Sequence, residues 1–462
     1  MVPHLVTSNP GPILALERRI LDSTVAIERW FRLQWQDHTP PFYGSVDLRN
    51  AGFKLVQVDM NLFPGGFNNL SAEMLPLAVQ AAQSAIEHFC CDARNLLLIP
   101  ERHTRNLFYL RNVAQIATIL SATGLTVRIG TLAEDITEPT TIELPEIDGH
   151  APRITLEPLV RHGRRVGLAD FDPCAILLNN DLSAGVPEIL RDLHEQHVLP
   201  PLHAGWTTRR KSVHFAAYDE VCNEFAELVG IDPWLLNPYF AQSSGVDFHG
   251  RVGEDDLADK VESVLAKVRA KYAQYGITDT PFVIVKADAG TYGMGVMTVK
   301  SADEMRALNR KTRNKMAVVK EGLEVSDVLI QEGVRTIERV GESVAEPVVY
   351  MIDRYVVGGF YRMHADRGED ENLNAPGMQF VPLPASNASP VSFGETVEDE
   401  SFPFDSGCNL PDCNAAAGEK APNRFYMYGV VARLALLAAA RELERTDPEF
   451  ADAEPAMAQP AF

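Results

Sequence analysis

The run Phe282-Val-Ile-Val-Lys286-Ala-Asp288-Ala-Gly290-Thr291-Tyr292-Gly293-Met294-Gly295-Val-Met-Thr-Val299 puts a β-branched strand, a glycine loop and a second strand in direct succession. The first strand delivers Lys286 near its end, where an ammonium group meets phosphate as a point charge. The three glycines let backbone N–H groups approach a polyphosphate closely and form an anion nest. A strand, not a helix, follows the loop. That excludes the P-loop and the dinucleotide fingerprint, both of which need their glycine loop to open a helix. The bland alternative, a glycine-rich hairpin with a solvated lysine, is weakened by three further features in the same chain order. Lys211 lies upstream in Arg209-Arg210-Lys211-Ser212; the strand Val328–Gln331 leads into Glu332-Gly333-Val334; and Tyr350-Met-Ile-Asp353-Arg354 precedes Gly358-Gly359-Phe360-Tyr361-Arg362.

A chain of 462 residues has room for two or three domains. Its composition, 46% hydrophobic and 23% charged, is that of a globular protein. The formal charge of −21 argues against a broad nucleic-acid surface, because such affinity rests on Lys and Arg neutralising phosphates. A nucleotide needs only a few local cations. No apolar run is long enough to span a bilayer, and the first residues lack the pattern of a secretory signal. The expectation is a cytoplasmic enzyme acting on small molecules, without nucleic acid or membrane partners, and with homo-oligomerisation left open. Six scattered cysteines complete no zinc pattern and read as free thiols.

Apolar spacing predicts a helix from Pro12 to about Trp35, and alternation predicts a strand over Lys54–Asp59 that runs into Asn61-Leu-Phe-Pro-Gly-Gly-Phe-Asn-Asn69. Ser71 stands where it could cap the next helix. Strands at Leu96–Ile99, Thr126–Ile129 and Ala175–Asn179 alternate with helices, the pattern of a parallel sheet. Residues 131–160 read as an excursion or hairpin, and Ser183–His194 as a helix. Farther on, Tyr218–Leu228, Leu257–Tyr275, 302–316 and Val430–Glu444 read as helices. Val348–Tyr355 and Gly359–Met363 read as a hairpin turned at Val357-Gly358-Gly359, and residues 384–423 as a long loop.

The lysine-bearing loop and its partners over about 205–380 resemble the ATP-grasp superfamily. That resemblance implies ATP and Mg²⁺ as cofactors. It makes Lys211, Lys286, Gly290, Thr291, Tyr292, Gly293, Met294, Gly295, Gln331, Glu332 and Val334 the nucleotide site, with Lys286 and Arg362 catalytic. Such ligases place a Glu-x-Asn pair after an acidic residue late in the core to bind magnesium. No such pair stands there in this sequence. The nearest is Asp370-Glu371-Asn372-Leu373-Asn374, which supplies the candidate metal ligands Asp370, Glu371, Asn372 and Asn374, with Asp412-Cys413-Asn414 a weaker rival.

Over nearly the whole length the chain also resembles the proteobacterial glutamate–cysteine ligases, through Ser45–Lys54, Asp59–Asn69, the Lys286 loop, Asp353–Gly377 and Asn423–Gly429. The fold implied is α/β, ATP-grasp-like, with an N-terminal pre-ATP-grasp-like α/β domain. The N-terminal substrate domain would span 1–204 and the ATP-grasp-like region 205–445, with a lid at about 280–335, ahead of a flexible tail over 446–462. The activity implied is ATP-dependent joining of the γ-carboxylate of L-glutamate to the amine of L-cysteine through an acyl phosphate. Arg49, Lys54, Asp59, Asn61 and Asn69 are the candidate substrate residues, since an amino acid needs both a cation and an anion. The alternatives are another ATP-grasp carboxylate–amine ligase, such as a glutathione-synthetase-like enzyme, and a non-catalytic ATP-binding module.

Overall fold

In the computed structural model the described residues are 11–90, 92–102, 105–145, 151–290, 295–317, 324–383 and 424–448. Three sheets carry the fold. The first is antiparallel and joins β1 (Tyr43–Asn50) and β2 (Leu55–Asn61) to β15 (Arg339–Val340), β16 (Ser343–Ile352), β17 (Tyr355–His364) and β18 (Gln379–Pro382), in the order β18-β17-β16-β1-β2 with β15 alongside β16. The second is mostly parallel, ordered β10-β9-β3-β4-β6-β5. It comprises β3 (Asn95–Pro100), β4 (Thr126–Thr131), β5 (Thr140–Glu143), β6 (Arg153–Pro158), β9 (Ala175–Asn179) and β10 (His197–Leu199). A small hairpin of β7 (Val160–His162) and β8 (Arg165–Gly167) stands apart. The third is antiparallel, ordered β11-β14-β12-β13, from β11 (Phe240–Ser244), β12 (Val283–Ala287), β13 (Val296–Val299) and β14 (Asp327–Glu332).

Helices fill the spaces between the sheets because their apolar faces need burial. The pair α1 (Pro12–Asp22) and α2 (Thr24–Asp37) shares one core with α5 (Lys211–Val229), α9 (Arg424–Thr446) and one face of the parallel sheet. On the other face of that sheet, α3 (Leu75–Phe89) and α4 (Leu107–Ser121) pack with Tyr43, Tyr350 and Phe360. A third core holds α6 (Glu254–Tyr275), α7 (Ala302–Arg306) and α8 (Arg310–Ala317) against the Lys286 sheet. Helix α9 is buried along most of its length and lies on β1 and β2, so elements from opposite ends of the sequence meet. None of the described helices is long and apolar enough to cross a membrane.

Several expectations shift. The first helix is broken at Ser23. Ser71 gives no side-chain cap; a 3-10 turn over Ala72–Met74 precedes α3 instead. Ser183–His194 is not helical beyond the 3-10 turn Glu188–Leu190. The β16–β17 turn falls at Asp353-Arg354, where Asp353 adopts a φ of 50°. The glycines at 358 and 359 lie inside β17, where a Cβ on Gly359 would come within 2.6 Å of the Val348 carbonyl oxygen. Because β1 and β2 hydrogen-bond into the sheet of residues 339–382, a boundary near 204 cuts through a sheet. Residues 384–423 and the tail beyond 448 lie outside the described residues, as does the Asp412-Cys413-Asn414 rival.

Candidate active site

Charged side chains concentrate on one face of the antiparallel sheet. Asp47 on β1 stands directly opposite Asp59 on β2, and Glu346 on β16 opposite Arg362 on β17. The Arg362 guanidinium spans the sheet, donating to Asp47 Oδ2 at 2.6 Å and Glu346 Oε1 at 2.9 Å. Burial pushes the Asp47 carboxyl above its ordinary range, and the carboxylates of Glu346 and Asp59 add to this against Arg362. Burial works against the charge of Arg362, but Asp47 and Glu346 outweigh it and hold the guanidinium firmly protonated.

Two lysines converge on Asp59. Lys211 opens α5 and places Nζ 3.0 Å from Asp59 Oδ1, 4.0 Å above the Trp206 ring. Lys286 Nζ donates to the Val58 carbonyl at 2.7 Å and lies 3.9 Å from the same carboxylate oxygen. Asp288 explains how residues so far apart in sequence meet. Its carboxylate accepts from Ser212 N and Ser212 Oγ, both at 2.7 Å, and its carbonyl accepts from Lys211 N at 2.8 Å. The start of α5 is thereby tied to the end of the lysine strand. Burial alone would raise the Asp59 carboxyl, yet Lys211 and Lys286 overcome it and hold the group well below the usual carboxylate range. Burial draws the Lys286 ammonium down to about 8 against the pull of Asp59.

These groups border a cavity of about 1040 Å³ whose walls include Ser45, Asp47, Asp59, Asn61, Asn69 and Arg362. The opposite wall comes from the carboxyl ends of the parallel strands, the usual ligand crevice of an open α/β sheet. The loop after Asn61 is held rigidly. Asn112 Oδ1 accepts from the N–H groups of Gly66 and Phe67 at 2.8 and 2.9 Å, Asn179 Nδ2 donates to the Pro64 carbonyl at 2.9 Å, and Tyr350 donates to the Gly65 carbonyl. Gly66 has a φ of 112°, and a Cβ there would lie 2.7 Å from the Tyr350 hydroxyl, so only glycine fits.

The predicted residues divide sharply. Lys211, Lys286 and Arg362 reach the sheet face, and Asp59, Asn61 and Asn69 line the cavity. Arg49 and Lys54 do not line it. Arg49 Nε pairs with Glu346 at 2.9 Å while its other nitrogens donate to the carbonyls of Val334, Glu369 and Glu371. Lys54 is buried 3.0 Å from Glu332, whose carboxylate also accepts from Trp234 Nε1 and Tyr239 N. Glu332 is therefore a core anion, 1% exposed, and its carboxylate is occupied inside the protein. Gln331 beside it is buried with Nε2 unpartnered, and Val334 follows β14. Gly290 and Gly295 flank the glycine loop with positive φ, whereas Thr291, Tyr292, Gly293 and Met294 lie outside the described residues.

The 370–374 cluster does not converge on a common point. Asp370 pairs with Lys300 at 3.1 Å, Glu371 with Arg367 and the Gly368 N–H, and Asn372 accepts from Asn374 N; only Asn374 reaches the cavity. Among the described residues no group of three or more His, Cys, Asp or Glu side chains is placed to hold a metal. A smaller oxygen set does exist. Asp47 followed by Asp59-Met60-Asn61 has the order acid, then acid-x-Asn, on paired strands beside Arg362. Hard divalent cations such as magnesium use one or two protein carboxylates and leave other positions to phosphate and water. The donor set fits.

Sequence reasoning missed Asp47, Glu346 and the group behind β2. The alternation of Ser45 and Asp47 was the available signal for the first. Behind β2, Arg209 donates to the Met60 carbonyl at 3.0 Å and to both oxygens of Glu442, which also receives His214 Nδ1 at 2.9 Å. Helix α9 thus fixes the backbone between Asp59 and Asn61.

An antiparallel sheet carrying Lys286 thus meets a carboxylate- and arginine-bearing sheet at Asp59, beside a parallel α/β unit. The family profile of GshA, glutamate-cysteine ligase, matches residues 17–443, and the chain belongs to that family. A crystal structure from Methylobacillus flagellatus KT, provisionally assigned as a gamma-glutamylcysteine synthetase, is 60% identical. The match covers 97% of this chain and 100% of that one, with a TM-score of 0.81. A D-alanyl-alanine synthetase A from Vibrio cholerae O1 biovar eltor (10% identity, 64% and 76% covered, TM-score 0.32) is much more distant. So is a glutathione synthetase-like effector from Globodera pallida (10%, 79% and 88%, TM-score 0.38). No curated protein matches.

Proposed function

We propose that this cavity joins L-glutamate to L-cysteine at the expense of ATP, giving γ-glutamylcysteine, the first step of glutathione synthesis, with the residues around Asp59 as the reacting centre. The observation that carries the assignment of the centre is the convergence of Lys211 and Lys286 on Asp59, beside an Asp47–Arg362 pair. A carboxylate is a poor electrophile and must be activated. An oxygen of the γ-carboxylate attacks the terminal phosphorus of ATP and ADP departs, leaving an acyl phosphate. The amine of cysteine then attacks the acyl carbon, phosphate leaves with the bonding electrons, and the nitrogen sheds its proton.

Each side chain has a part in this reading. Lys211 and Lys286 hold the phosphates, exchanging Asp59 for a ligand of higher charge. Arg362 stabilises the oxygens on which charge gathers, from a position already fixed by Asp47 and Glu346. Asp47, Asp59 and Asn61 would hold Mg²⁺, which neutralises charge on the phosphates. The rigid Pro64–Asn69 loop orients the acyl group, so that positioning supplies much of the rate. We place the reaction in the cytoplasm. The test is ADP release with ATP, Mg²⁺ and amino-acid pairs, with the product identified by mass. Release requiring both glutamate and cysteine is expected. Turnover with other carboxylate–amine pairs and none with this one would refute the assignment.

A further inference from the structure

The cavity has a second wall, across from the Asp47–Arg362 face. Three described arginines line the cavity: Arg362, Arg102 and Arg105. Arg362 is committed to Asp47 and Glu346. Arg102 and Arg105 follow β3 on the opposite wall; both are exposed, and neither has a hydrogen bond or ion pair to a described residue. Arg105 and Asn106 stand where α4 begins, so the partial positive charge of a 15-residue helix N-terminus faces the same space. Asp135, after β4, brings an exposed carboxylate to that wall. Glu101 and Asp181 line the same wall, and their carboxylates accept from the N–H groups of Asp181 and Ser183, both at 3.0 Å. The two arginines, the helix terminus and the exposed Asp135 then make a receptor for a carboxylate with an ammonium beside it.

We infer that Arg102 and Arg105 bind the α-carboxylate of the glutamate substrate, with Asp135 taking its α-ammonium group, and so select for an acidic α-amino acid. This rests on the ligase reading above. The carbon under attack must lie at the Asp47–Arg362 face. The α-carbon of glutamate is three carbon–carbon bonds from that carbon, so its charged head extends away across the cavity. Cysteine's carboxylate is bound to the carbon bearing the attacking nitrogen and stays near the reacting centre. The remote carboxylate is therefore glutamate's. Arg49 and Lys54, the cations expected from sequence for this task, are locked into Glu346 and Glu332. That leaves the far wall to supply the cation.

The test compares glutamate with 4-aminobutyrate, which keeps the reacting carboxylate and the amine but lacks the α-carboxylate. A site built around a charged hydrogen bond rejects the analogue that lacks the partner by a large factor. In the wild type kcat/KM should favour glutamate by more than about 10³-fold, read as turnover or as competitive inhibition. Arg102→Ala and Arg105→Ala should each lower kcat/KM for glutamate by roughly 30-fold or more. They should leave the 4-aminobutyrate value and the KM for ATP and cysteine within about threefold, so that the discrimination collapses. Arg105→Lys, which keeps the charge, should restore part of it and serves if the alanine variant folds poorly. Equal losses for both substrates, or a rise in the KM of cysteine in place of glutamate, overturn the inference. A wild type that releases no ADP with glutamate and cysteine refutes the ligase reading instead.

Discussion

Replacing Lys54 by methionine tests whether this lysine serves the substrate or the core. Its side chain is 1% exposed, 3.0 Å from Glu332 and 4.1 Å from the centre of the Trp234 ring. Burial pulls the ammonium from its ordinary 10.5 to about 8, against the attraction of Glu332. At 1.36 kcal/mol per pH unit, keeping it charged at neutral pH costs about 3 kcal/mol of native-state stability. The Lys54→Met substitution would relieve that cost, but Glu332 would keep only the neutral donors Trp234 Nε1 and Tyr239 N. Removing one member of a buried pair costs roughly 3–5 kcal/mol with such relief already counted, and a net loss at the lower end, about 3 kcal/mol, is expected at pH 7. The pH dependence adds a signature. Because the folded value is depressed, the unfolded chain binds more protons between about 8 and 10.5, and the wild type gains stability as pH rises through that window. The variant lacks this gain, so the gap should widen by about 2 kcal/mol between pH 7 and 9.5. Urea unfolding followed by tryptophan fluorescence measures it. Lys54→Met/Glu332→Gln should recover most of the loss, and the KM for ATP, glutamate and cysteine should stay within about threefold in both variants. Normal stability with a tenfold higher KM for an amino acid would refute the reasoning and return Lys54 to the substrate.

Asp59→Asn leaves the fold intact but removes the charge between the two lysines; kcat/KM for ATP should fall about 10²–10³-fold and the Mg²⁺ requirement rise, as measured by steady-state kinetics over a metal titration. Lys286 titrates near 8 in the free protein, and phosphates favour its charged form. Nucleotide should then bind more weakly as pH rises above 8 and take up protons there, which calorimetry in buffers of different ionisation enthalpy detects; binding without proton uptake at pH 8.5 would contradict the geometry. Glu442→Gln loosens Arg209 from the Met60 carbonyl and should raise the KM for Mg–ATP while lowering stability by about 2 kcal/mol, read by kinetics and chemical unfolding together.

The strand–glycine–strand unit around Lys286 was legible because its signals are local: a β-branched run and three close glycines. The turn at Gly358–Gly359 was misread for a related reason. Paired glycines mark turns in general, but here they admit Leu383 and the Val348 carbonyl to the face of β17. Arg49 and Lys54 look like substrate ligands on a strand, and only the fold reveals Glu346 and Glu332, nearly 300 residues away, as their partners. The acid-x-Asn pair was legible as letters but not as a motif. Sequence order placed it far ahead of the arginine it accompanies, and the pairing of β1 with β16 restores the adjacency. The far-wall arginines had no local pattern at all; the parallel sheet brings them to the cavity through the strand they follow.

That pairing of early strands with late ones has a consequence during synthesis on the ribosome. When β1 and β2 emerge, neither Arg362 nor the helix that covers Met60 has been made, and Asp47 and Asp59 face each other with no cation to offset them. Like charges directly opposite on paired strands destabilise the pairing, and the lysines, the arginine and the helix that offset or cover these two all lie later in the chain. A nascent chain halted before residue 424 would thus carry Lys211, Lys286 and Arg362 and still lack the helix that, through Arg209, holds the Met60 backbone in place.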